Sequence, residues 1–144
     1  MNLDESNQAL SYIQNLDLSH VVDRLVKQGK WYNKHAIEAV KAYKRYLFLQ
    51  KKYGEQYELV PSYEIDMVWH EHILFSQQYH KDCLQIFGKY LHHDPEVNTS
   101  EPIGIDFRYE KTQSLYFAEY GEYMNAIIPT TWIGKFVIRL IKRM

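Results

Sequence analysis

Residues 33–54 read NKHAIEAVKAYKRYLFLQKKYG, and this stretch decides the fold class. Ala36, Val40, Tyr43 and Leu47 recur at three- and four-residue intervals. On a helix of 3.6 residues per turn that spacing stacks them into one apolar stripe, which Ile37 widens. Asn33 is placed to cap the helix start, and Gly54 supplies the stop. The pattern predicts a long amphipathic helix over 34–53.

Working outward, the same logic predicts helices on both sides. Residues 3–15 form a poorly patterned first helix. Ser19 precedes a helix over 20–28, where Val22, Leu25 and Val26 share a face and Gly29 ends it. Beyond 54, a polar connection leads to Pro61 and to Ser62, an N-cap for a helix over 63–74. Ser76 marks a break before a helix over 77–87, which Gly88 terminates. From His92 to Asp106 the composition turns to Asp, Pro, Asn, Thr, Ser and Gly, the signature of a loop. Thr112 caps a helix to Tyr123, Pro129 breaks the chain, and Thr131 opens a last helix to Arg143. No repeat, low-complexity tract or linker divides the chain. The expectation is an all-α protein, one domain over residues 1–144, with five to seven helices around one core.

Composition narrows the function classes. The 144 residues are 46% hydrophobic and 24% charged, near the globular average, which argues against disorder. Thirteen tyrosines raise the aromatic content to 15%, and tyrosine suits half-buried positions with one wet end. A formal charge of −1 lacks the basic face that phosphates require, so no nucleic acid is expected as a partner. The single cysteine, Cys83, has no internal partner for a disulfide, which fits a reducing compartment. The polar, acidic first 20 residues hold no secretory apolar run, and no stretch approaches the ~20 apolar residues of a membrane span. A soluble cytoplasmic protein is expected; export as an effector through an unusual signal would leave the same sequence. The basic, apolar C-terminal stretch over 133–144 suits packing on the domain, with peripheral membrane contact as the less favoured use.

Six of the residues of metal-binding type within the 28 positions from 66 to 93 are candidate ligands: Asp66, His70, His72, Cys83, His92 and His93. Imidazole, thiolate and carboxylate are the side-chain ligands that zinc uses, and mixed sets also suit other transition metals. Asp66 and His70 sit one helical turn apart on a common face, whereas His70 and His72 are ~200° apart and point to different sides. The preferred set is His70, Cys83 and His93, with Asp66 as fourth ligand or as an acceptor orienting His70; His72 and His92 are reserves. Ordinary packing offers a competing explanation, since free cysteine is often buried and an i, i+4 Asp–His pair is a common surface contact. Neither CxxC nor HExxH spacing is present. Cys83 with a histidine as a nucleophilic pair is the weaker chemistry, because the sequences that mark such proteases are absent. Glu64, Asp66 and Glu71 are candidate acid/base groups beside a metal-bound water.

The stretches VPSYEIDMVWHEHIL (60–74), YHKDC (79–83) and GKYLHHDP (88–95) resemble the glycine-rich domain-containing protein-like family, a domain of unknown function. The family pattern falls on Pro61 and Ser62, Ile65 and Asp66, Trp69 with His70 and His72, Tyr79 with Asp82 and Cys83, Gly88, and His93. AYKRYLFL (42–49), LYFAEYGE (115–122) and Trp132 extend the likeness over residues 18–132, with Leu47 replacing an aromatic. The glycine-rich segment of the larger plant members is missing, so only the helical core carries over. No activity is implied, because none is established for the family. The resemblance does imply that Trp69, His70, Cys83 and His93 act together, in metal binding or an active site. The expected cofactor is one divalent ion, zinc first and iron second. An open coordination position would suit a hydrolase or oxidase, and a closed shell would suit a structural metal in a protein-interaction module.

Overall fold

The computed structural model describes residues 1–94 and 102–124, with side chains throughout the first stretch and from Phe107 in the second. It is all-α: α1 (Leu3–Asn15), α2 (Ser19–Lys27), α3 (Asn33–Tyr53), α4 (Tyr63–Leu74), α5 (Ser76–Phe87) and α6 (Pro102–Tyr120). The last helix expected from the sequence, over 131–143, lies outside the described residues. No helix among the described residues is long and apolar enough to cross a membrane.

The long helix α3 packs against α1, α2, α4 and α6. It buries Ala36, Val40, Tyr43 and Leu47 as the stripe requires. Ile37, however, is 51% exposed. Neighbours press on α3 from several sides, so Ala39, Tyr46, Phe48 and Leu49 are buried in its place. The helix begins at Asn33 itself, with Tyr32 in the cap position and no side-chain cap bond, so Asn33 is not the N-cap.

Local signals place some of the other helix ends, whereas Ser19 and Ser76 are the first residues of α2 and α5 and not their N-caps. The Ser62 hydroxyl accepts the Ile65 N–H at 3.4 Å and caps α4. Phe75, at φ −83° and ψ 66°, ends α4 and opens α5 in a single residue, so the two helices turn sharply on each other. Gly88 closes α5 in the left-handed region at φ 71°, where a glycine avoids the clash of a Cβ.

The sixth helix corrects the sequence reading. It starts at Pro102, inside the expected loop over 92–106, as suits a residue tolerated in a first turn because its missing N–H is not needed there. Thr112 is therefore a mid-helix residue. Its hydroxyl donates to the Arg108 carbonyl at 2.8 Å and accepts the Val60 N–H at 2.9 Å, which ties α6 to the segment before α4.

Candidate metal site

Asp66 and His70 lie one turn apart on the outward side of α4, while Ile65, Val68, Trp69 and His72 face the core. His93 comes from the segment after Gly88, which runs back across α4. One ligand atom from each of Asp66, His70 and His93 lies within 4.8 Å of the others, the spread over which a single ion can bind all three. His93 Nε2 is 2.6 Å from Asp66 Oδ1, and His70 Nε2 is 3.5 Å from Asp66 Oδ2. The two imidazole centroids are 4.5 Å apart, edge to face. One carboxylate thus serves both rings, an oxygen to each.

The His93 ring is fixed from behind. Trp69 packs against it with ring centroids 4.1 Å apart, and the indole N–H donates to the Tyr79 hydroxyl at 2.9 Å. The Tyr79 hydroxyl in turn donates to the Leu91 carbonyl, two residues before His93. Burial raises the Tyr79 pKa well above the ordinary tyrosine value, so the hydroxyl stays protonated for that bond.

Cys83 is not among the converging atoms. It is 2% exposed within the hydrophobic core, on the α5 face shared with Tyr79 and Ile86. Burial pushes its thiol pKa up, against opposing hydrogen bonds with the Leu91 backbone and Tyr79. Its contact is with the strap that carries His93. A buried thiol with a raised pKa is also a poor nucleophile.

The reserve histidines separate as the helical angles require. His72 is 1% exposed, with Nδ1 2.7 Å from the Tyr43 hydroxyl and Nε2 2.8 Å from Asp82 Oδ2. The tautomer that satisfies all three groups has Nε2–H donating to Asp82 and Nδ1 accepting from Tyr43. Both ring nitrogens are committed, which leaves none for a metal. Tyr12 donates to Asp82 Oδ1 at 2.7 Å, so one buried chain of hydrogen bonds joins α1, α5, α4 and α3. The sequence shows no sign of this chain beyond the presence of its members. His92 is exposed and packs against Tyr90, with ring centroids 4.7 Å apart.

Of the acid/base candidates, Glu71 pairs with Arg24 at 2.7 Å, and Glu64 is buried at 3% exposed. Asp66 alone of the three belongs to the cluster. The cluster opens on a cavity of about 610 Å³ between the segment over 54–61, the start of α4 and residues 91–94. That volume is typical of a small-molecule site.

This arrangement, an all-α fold with a His/Asp cluster formed by α4 and the segment after α5, defines a helical domain with a candidate metal centre. The chain belongs to the UCP032817-like family, whose model matches residues 8–107. It is similar over 88 residues to two proteins of Arabidopsis thaliana, at 32% identity to glycine-rich domain-containing protein 1 and 42% to glycine-rich domain-containing protein 2. In each case the match covers 58% of this chain and 11% of the relative, so the plant proteins are far longer than the shared part. No solved structure matches the chain.

Proposed function

We propose that this chain is a metal-binding helical domain whose ligands are Asp66, His70 and His93, with zinc the first candidate and iron the second. The observation that carries the reading is the convergence of two imidazoles and one carboxylate within 4.8 Å. Two histidines and a carboxylate form a donor set found at catalytic zinc, and with open positions also at non-haem iron(II). Three protein ligands leave at least one position for water or substrate, and the cavity gives that position room. This favours a hydrolytic or oxidative site over a closed structural metal. Cys83 then supports the strap that delivers His93.

The test is metal analysis of protein purified without a polyhistidine tag, followed by titration of the stripped protein with Zn²⁺ and Fe²⁺. One equivalent bound, and lost in both His70→Ala and His93→Ala, is the expected result. A protein that takes up no metal would leave the cluster as a hydrogen-bonded staple, with Asp66 holding the strap through His93. The 2.6 Å Asp66–His93 contact favours that second reading.

A further inference from the structure

The walls of the cavity beside the cluster have a chemistry of their own. Among the described residues that line it there is no lysine and no arginine, while Glu58, Asp66 and Asp94 contribute carboxylates and Tyr57 and Tyr63 contribute aromatic rings. Tyr63 is 57% exposed and Asp94 is exposed, so both are open to an incoming molecule. Carboxylates bind ammonium groups by charge, and tyrosine faces attract them through the ring quadrupole. The wall already takes cations from the protein itself. Lys111 Nζ sits 4.6 Å from the Tyr57 ring centroid, and Arg108 pairs with Glu58. Those contacts engage Tyr57 and Glu58, and Asp66 is held by His70 and His93, so Tyr63 and Asp94 are the wall groups left to meet an incoming charge.

We propose that this cavity binds a small primary alkylammonium compound, with Asp94 and Tyr63 holding its charged head beside the Asp66–His70–His93 cluster. An anionic substrate, such as a phosphate ester or a dicarboxylate, would meet the Asp94 carboxylate, with no lysine or arginine among the described residues that line the space. As a substrate assignment the proposal rests on the metal reading above; as a binding assignment it rests on the cavity alone.

Backbone amide shifts of ¹⁵N-labelled protein, followed during titration with cadaverine, test it. Glutarate and 1-pentanol serve as the anionic and neutral controls of similar length, all at an ionic strength of about 0.15 M. Saturable shifts at Tyr57, Tyr63 and Asp94 are expected for cadaverine only. Asp94→Asn combined with Tyr63→Ala should weaken binding about tenfold or more, a loss of ~1.4 kcal/mol or greater. Each titration is run on stripped protein and again with one equivalent of Zn²⁺. Cadaverine binding to a protein that takes no zinc would keep this inference and remove the metal reading. Zinc uptake with no cadaverine binding, with glutarate bound in preference, or with cadaverine binding unchanged in the double variant would overturn it and leave the metal reading in place.

Discussion

The Trp69 and His93 rings lie with centroids 4.1 Å apart and planes inclined at 51°. One belongs to a helix and the other to a strap without regular structure, so this contact fixes the strap against α4. The site therefore depends on residues that never touch its centre.

The two histidines should separate when each is replaced by alanine. The His70 side chain is 53% exposed, whereas that of His93 is 12% exposed. His70→Ala is expected to abolish metal uptake while changing metal-free stability by no more than ~0.5 kcal/mol, as for ordinary surface substitutions. His93→Ala should abolish uptake and also lower the melting temperature of the metal-free protein. Zn²⁺ titration calorimetry and thermal melts measure the pair.

Cys83→Ala should keep metal stoichiometry at its wild-type value. Its cost is expected in stability, about 1–2 kcal/mol for a small truncation in a packed core. Chemical denaturation with parallel metal analysis separates the two readouts. Loss of the metal with stability intact would return Cys83 to the ligand set.

Tyr79→Phe removes one hydroxyl and leaves both the Trp69 indole and the Leu91 carbonyl without their partner. Direct partners of metal ligands govern affinity by about 10–100-fold; Tyr79 reaches His93 only through Trp69 and Leu91, so Zn²⁺ binding should weaken by about the lower end of that range, roughly tenfold. Helix content by circular dichroism should hold. Unchanged affinity would mean that the strap is set without Tyr79.

Asp82 is buried between His72 and Tyr12. A buried hydrogen bond to a charged group contributes about 1.5–3 kcal/mol, so Asp82→Asn should destabilise the fold by roughly 1.5–3 kcal/mol without touching the metal cluster. Urea denaturation at neutral pH reads the cost, and a loss within ~0.5 kcal/mol would contradict it.

Stability should also respond to pH through the same chain. Burial pulls Asp82 upward, but its bonds with His72 and Tyr12 outweigh that and leave it below the ordinary 3.8. The unfolded chain thus holds the proton more tightly, and stability present above pH 3.8 is lost as pH falls through the lower folded value. Burial, aided by Asp82, pushes Tyr12 from 10.0 up to about 12. Its share is complete below pH 10 and disappears between pH 10 and about 12. Denaturation across pH should show both limbs in the wild type. Tyr12→Phe should lessen the alkaline limb, to which the other buried tyrosines contribute as well.

The helix order was legible because α3 repeats its apolar residues at helical spacing and Ser62 and Gly88 punctuate the chain by simple chemistry. Thr112 misled, since a threonine that bonds back to a carbonyl four residues earlier resembles a cap in sequence. In the candidate site, Asp66 and His70 could be paired from their spacing. His93 belongs to the preferred set because it lies just past Gly88, where the chain can turn back; its choice over His92 rests on the direction of the strap, which no local pattern gives. Cys83 has the chemistry of a ligand, yet it shares its helix face with Tyr79 and Ile86, and that apolar company belongs to the core. The Tyr12–Asp82 bond joins residues 70 positions apart and could not be read from spacing at all.

Two of the three clustered side chains ride on one turn of α4, while the third hangs on the short stretch after Gly88. An ion gripping all three would act as a rivet between a rigid element and a pliable one. Amide hydrogen exchange across residues 89–93 would then slow sharply on metal addition while α3 stayed unaffected, reporting occupancy without any knowledge of the reaction.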